Sequence, residues 1–320
     1  INTLVNGITY QDTSVDNPTA GNRVFTLTQV KDSGGTASGG IDTTTLNIAS
    51  TVTVAPVNDA SVLANTSTLA YTENATSAIN TLITTADVDN TTLSTATVAI
   101  TGGFVSGQDV LGFTNVGMGN ITGSYVAGTG VMTLSSAGNT ATLAQWQAAL
   151  RAVTYNNSSD DPNTAARTVS YTVNDSAANS NTVTSTINLT AVNDAPTLSA
   201  TAASPTFTEG AGSTQAAAVS VFSGASVGTV EAGQTITSLT FTVSGILDGA
   251  NERIVVDGTT ITLGANSGPL TTTTNGMTYN VTIASGTATV VLTKAAGVAT
   301  AAINTLVNGI TYQDTSVDNP

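Results

Sequence analysis

The eighteen residues INTLVNGITYQDTSVDNP open the chain at Ile1 and return letter for letter at Ile303. Chance does not produce an identity of that length. The sequence therefore has a period of 302 residues followed by an overlap. A repeat sets the frame for every later inference, because each unit must be read in its own register. The expected setting is a window on a longer tandem array.

A weaker repeat lies inside the period. Val57-Asn58-Asp59-Ala60 recurs 135 residues later as Val192-Asn193-Asp194-Ala195. The residues before each copy also align. Tyr10, Asp16-Asn17-Pro18, Arg23 and Asp32 precede the first, and Tyr155, Asp160-Asp161-Pro162, Arg167 and Asp175 precede the second. In both, the arginine follows the proline by five positions. The expected organisation is residues 1–58 as the C-terminal part of a long unit, 59–194 as a complete short unit, and 195–320 as the N-terminal part of the next long unit.

Apolar residues alternate with polar ones through most of the chain. Val169, Tyr171 and Val173, then Val183, Ile187 and Leu189, then Leu239, Phe241 and Val243 each mark one face of a run, and Phe25 and Leu27 begin another. A period of two with one apolar face is the mark of a half-buried antiparallel strand. Gly, Asn and Asp pairs punctuate the runs at Asn6-Gly7, Asp248-Gly249, Asp257-Gly258 and Asn275-Gly276, as hairpins require. Many short strands separated by such turns predict an all-β chain of β-sandwich units. One helical pattern interrupts each unit. Leu143, Trp146 and Leu150 precede Tyr155, and Ile303, Leu306, Val307 and Ile310 precede Tyr312. Each predicts a short helix before a late strand, closing one end of the core. Trp146, the single tryptophan, reads as a core plug, and Tyr10, Tyr155 and Tyr171 as core residues on strands.

Composition then narrows function. With no His and no Cys, neither a His- or Cys-dependent nucleophilic site nor a His/Cys zinc site nor a disulfide frame is available. Six Lys and Arg against 20 Asp and Glu make poor contacts to nucleic-acid phosphates. No apolar run reaches the roughly 18–20 residues of a membrane span. The carboxylates stand in small groups beside Asn, Gly and Ser, with few cations to pair with. Calcium takes about six to eight oxygens from such groups, so the chemistry suits it. Asp109, Asp248, Glu252 and Asp257 read instead as turn residues and solubilising charge.

Val192-Asn193-Asp194-Ala195-Pro196 resembles the junction motif of bacterial cadherin-like tandem repeats, which build the stalks of giant calcium-dependent surface adhesins. Tyr71-Thr72-Glu73-Asn74, Asp87-Val88-Asp89, Val173-Asn174-Asp175 and Val230-Glu231-Ala232-Gly233-Gln234 fit the same pattern. The resemblance implies tandem cadherin/immunoglobulin-like sandwiches with calcium at the joints. At the front junction it implies Asn58, Asp59, Asp87, Asp89 and Asp175, with Asp16 or Asn17 from the preceding unit. At the rear junction it implies Glu73, Asp160 or Asp161, Asn193, Asp194 and Glu231. Glu209 would serve the junction after that. Two departures stand out: the long unit has one carboxylate, Glu231, in place of a D-x-D, and Asp59-Ala60-Ser61 lacks the proline found at Pro196.

The expectation is a non-enzymatic structural segment, extracellular at a cell surface. Its partners would be neighbouring repeats, with self-association into a filament as a further mode of assembly. A carbohydrate- or surface-binding module is the alternative, but one Trp, 7 Tyr and 6 Phe offer little aromatic surface for it. Paired carboxylates such as Asp87/Asp89 and Asp160/Asp161 could suggest a glycosidase, yet they serve better as ligands.

Overall fold

The computed structural model describes residues 1–212 and 214–316. The last four residues of the third expected segment lie outside that range. The chain forms two compact units, Ile1–Thr190 and Ala191–Pro320. Both are all-β, with strands in several sheets and only short helices. No helix among the described residues is long and apolar enough to cross a membrane.

The first unit begins with helix α1 (Asn2–Asn6) and a two-stranded antiparallel hairpin of β1 (Gly21–Lys31) and β2 (Thr43–Val54). The strands β3 (Val62–Ala64), β4 (Thr68–Thr72), β5 (Thr76–Ala78), β6 (Thr84–Ala86), β7 (Thr95–Gly102), β8 (Asp109–Gly112), β9 (Ile121–Val126) and β10 (Val131–Ser136) follow. Helix α2 (Leu143–Arg151) precedes β11 (Thr154–Asn157), β12 (Arg167–Asn174) and β13 (Val183–Thr190). One sheet has the order β4-β13-β12-β7-β10-β9, another β5-β11-β8, and β3 pairs with β6. Along β12 the burial alternates strictly, and Arg167, Val169, Tyr171 and Val173 all point inward. They meet Ala96, Val98, Ile100, Leu111 and Tyr155 in one core. Helix α2 opens on a capping box, in which Thr142 and Gln145 satisfy each other's backbone N–H groups. It sinks Trp146 fully into that core, where the indole N–H donates to Leu93 O at 3.1 Å.

The second unit repeats much of this plan. It comprises β14 (Thr197–Ala202), β15 (Val219–Ser220), β16 (Phe222–Gly228), β17 (Ile236–Ser244), β18 (Glu252–Val256), β19 (Thr259–Thr262), β20 (Ser267–Thr271), β21 (Thr278–Ala284), β22 (Thr287–Val298), helix α3 (Thr300–Asn308) and β23 (Thr311–Asp314). Its sheets run β17-β22-β21-β20 and β15-β23-β18-β19, with β14 paired to β16. Asp257 (φ 53°) and Gly258 (φ 74°) make the turn between β18 and β19, a two-residue hairpin turn in which both positions need positive φ. By position β17 answers to β7, β22 to β10, β18 to β8 and β23 to β11. Among the described residues of this unit, no strand answers to β12 or β13. The edge of β17 that would pair with such a strand is open.

The described residues 303–316 and their copies at 1–14 fold differently. Ile303 and Leu306 are 1% and 3% exposed in α3, whereas Ile1 and Leu4, the same letters, are 78% and 73% exposed. The expectation that Tyr10 is a core strand residue is corrected: Tyr10 lies in no strand and is 37% exposed, while Tyr155 and Tyr171 are fully buried. Tyr155 sits on β11 between β5 and β8. Around Tyr10 no such neighbours form.

Candidate metal centre

The residues implied for the front junction converge. Asn58 donates from Nδ2 to Asp175 Oδ2 at 3.0 Å and accepts from Asn90 Nδ2 at 2.9 Å. The Asp59 N–H meets Asp89 Oδ2 at 2.5 Å. Asp87 receives the N–H groups of Asp89 and Asn90 on Oδ1 and the Ser61 hydroxyl on Oδ2. The Asp-x-Asp spacing makes this possible, because the first carboxylate folds back on the N–H two residues on. Asp175 caps its own hairpin turn through the N–H groups of Ala177 and Ala178, both at 2.7 Å. Burial alone would raise its carboxyl pKa, but these donors and the Asn58 amide outweigh it and hold the pKa below the usual value. From the preceding segment Asn17 reaches the loop, donating to Val88 O at 3.1 Å, whereas Asp16 is exposed.

The junction at Asn193 repeats the motif. Asn193 Nδ2 donates to Asp194 O at 3.0 Å, as Asn58 does to Asp59 O at 3.1 Å. Gln234 donates to Asn193 Oδ1 at 2.8 Å, in the role of Asn90. The Asp194 N–H meets Glu231 Oε1. The single glutamate thus occupies the place of the second aspartate of the D-x-D.

Buried carboxylate oxygens mark both places. Asp89 Oδ1, Asp194 Oδ2 and Glu231 Oε2 are each withdrawn from solvent without a hydrogen-bond donor. A carboxylate oxygen in that state is unfavourable unless a cation meets it. The donor set is all oxygen, as a hard cation requires. Glu73, Asp160 and Asp161 belong to the first unit. The Glu73 side chain is buried beside β13, its N–H on Thr190 O, and Asn74 next to it donates to Asp160 Oδ1 at 3.0 Å. The Asp161 N–H binds Ser159 Oγ at 3.2 Å. Glu209 is exposed.

A denser acidic group was missed in the sequence. Asp248, Glu252 and Asp314 each offer an oxygen within 4.8 Å of the others, an arrangement that could hold a metal ion, and no other described trio of such residues is so close. Glu252 and Asp314 are buried and pair across β18 and β23. Glu252 Oε1 caps the turn before it through the N–H groups of Leu247 and Asp248. Burial and the neighbouring carboxylates of Glu252, Asp314 and Asp248 push the Tyr312 hydroxyl pKa up. Glu252 is therefore more than surface charge. Asp109 is corrected likewise: it is buried, and its Oδ2 pairs with Arg167 Nε at 2.9 Å with both side chains fully enclosed. Its Oδ1 accepts from Tyr155 and Asn157 at 2.5 and 2.7 Å. Asp257 is indeed a turn residue, yet buried, bound by Thr272 and Asn275. The strand alternation could have flagged three of these, since Asp109 shares a face with Leu111, Glu252 with Ile254, and Arg167 with Val169.

No protein-family model matches this chain, and no curated protein matches it.

Proposed function

We propose that the chain is a structural segment of an extracellular stalk or surface filament, built of cadherin-like sandwich units and stiffened by calcium at the joints between them. The observation that carries this reading is the recurrence of one oxygen arrangement at both Asn-Asp junctions, each with a buried carboxylate oxygen lacking a donor. Asn58, Asp59, Asp87, Asp89 and Asp175 would hold the ion at the first, and Asn193, Asp194 and Glu231 would contribute at the second. Calcium there would neutralise clustered carboxylates and fix the loop that follows each junction. Extracellular modules bind calcium at roughly 10⁻⁴–10⁻³ M, so such joints would stiffen only outside the cell. Repeated periods suit a spacer, because each copy adds reach without needing a unique site. No catalytic role belongs to this reading.

Calorimetric titration with calcium, beside melting curves in calcium and in chelator, tests it. The expected result is millimolar-range binding and a clear rise in melting temperature. Equal melting with and without calcium, and no heat of binding, would remove the metal from the joints.

A further inference from the structure

We infer that the outward face of the sheet β4-β13-β12-β7-β10-β9 is a contact surface for the same face of a second copy of this chain. The inference goes beyond the calcium joints and uses none of their residues. It names the surface by which such segments would lie side by side.

Strand alternation decides what this face presents. On all six strands the inward positions turn to the core, and the outward ones hold only Thr, Ser, Asn, Ala and Val. No charged side chain stands on the face, although the chain carries a net charge of −14. Cross-strand register sets these side chains in rows. One row runs Thr172, Thr97, Thr133, Ser124 across β12, β7, β10 and β9. The next runs Thr184, Ser170, Ala99, Val131, Val126, starting from β13. Val126 is 52% exposed. The second unit builds the same kind of face, with rows Thr242-Thr289-Thr282 and Ser238-Thr293-Thr278 across β17, β22 and β21.

Charge, polarity and shape each suit this face to its own copy. Two chains of this net charge repel wherever their carboxylates meet, and a broad uncharged face lets them approach without setting charge against charge. Hydroxyls on the face already pair with one another: Thr101 Oγ1 lies 2.7 Å from Ser170 Oγ, and Thr122 Oγ1 lies 3.2 Å from Ser135 Oγ. Covering such hydroxyls strands few polar groups, while the threonine methyls, Ala99, Val131 and Val126 supply apolar contact. Sheets twist with a fixed hand, and two of them pack face to face at about −30° because both carry that twist. A second copy therefore matches the curvature of this face, whereas a flat foreign surface would meet it only along a line.

The area sets the strength of the contact. Six strands about 4.8 Å apart, each about six residues long, give a face on the order of 500 Å². That is below the roughly 800 Å² per partner of a standard stable complex, so a single pair of faces associates weakly. Faces repeated along one chain would add through effective concentration.

Sedimentation velocity of the full chain over a concentration series tests this, in chelator so that the result is independent of calcium at the joints. The expected result is weak, reversible association that strengthens in about 1 M salt, where charge repulsion is screened beyond about 3 Å. Thr97→Lys puts a charge in the middle of the face and also lowers the net negative charge of the chain. It should weaken association at least about tenfold, because two such lysines would be set against each other, with circular dichroism unchanged. Leu82→Lys makes the same charge change at a position outside every strand that is 59% exposed, and should associate as the unmodified chain does. A chain that stays monomeric at high concentration in high salt would overturn the proposal. So would Thr97→Lys protein that associates normally, or an equal loss in Leu82→Lys.

Discussion

Arg167 Nε lies 2.9 Å from Asp109 Oδ2, with neither side chain reaching solvent. The pair joins two sheets of the first unit, since Arg167 opens β12 and Asp109 opens β8. Its charges are enclosed, so desolvation offsets much of their attraction. The pair holds because Tyr155, Asn157 and the Val105 N–H supply further hydrogen bonds to the carboxylate.

Breaking this pair from one side leaves a buried charge. Arg167→Met is expected to destabilise the first unit by about 3–5 kcal/mol, read from chemical denaturation followed by the Trp146 fluorescence. A loss below about 1 kcal/mol would show that water reaches Asp109.

At the junctions, Asp89→Asn and Glu231→Gln are expected to diminish the calcium-dependent rise in melting temperature. Asp257→Asn should behave differently. It should lower stability with and without calcium alike, because Asp257 is a buried turn acceptor for Thr272 and Asn275. Equal calcium responses in all three variants would separate these carboxylates from metal binding.

The Asp175 pKa is depressed in the folded state. A carboxylate whose folded pKa lies below its unfolded value contributes stability that is complete above the unfolded pKa, near 4. That contribution is lost as pH falls through the folded pKa. Asn58→Ala removes one of the donors and should move the Asp175 titration upward and shrink the loss of stability on acidification. Carboxyl-carbon NMR across the acid range measures both proteins. An unchanged Asp175 midpoint would mean that Ala177 and Ala178 alone set it.

Trp146 fills the centre of the first core, and its replacement leaves a large void. Trp146→Ala is expected to lose about 3–5 kcal/mol, and Thr142→Ala, which removes the α2 cap, about 1 kcal/mol. Denaturation midpoints by circular dichroism provide the comparison. A larger effect from the cap than from the indole would contradict the burial seen here.

Much of the fold could be read along the chain. The alternation through 167–174 and 236–244 gave strands with the expected inward faces, and the Leu143/Trp146/Leu150 spacing gave a helix. Asx-type carboxylates announced themselves by spacing, because Asp87-x-Asp89 needs only local backbone to close. The Arg167–Asp109 pair and the Asp248/Glu252/Asp314 group were not legible in that way. Their members lie 58 and, from Glu252 to Asp314, 62 residues apart, and only strand pairing brings them together.

The duplicated segment separates the two kinds of information. Sequence alone determined its helical start, since Asn2–Asn6 is helical and so are the same letters within Thr300–Asn308. Tertiary structure decided everything beyond that. At 303–316 the helix packs on β16 and the tyrosine strand pairs with β15 and β18, so its apolar side chains leave water. At 1–12 no sheet pairs with the strand letters, the helix ends at Asn6, the counterpart of Asn308, and Ile1 and Leu4 stay exposed. Apolar side chains leave water only where neighbouring elements cover them, and among the described residues those neighbours stand at 303–316. The same letters therefore bury Ile303 and Leu306 in one place and leave Ile1 and Leu4 exposed in the other.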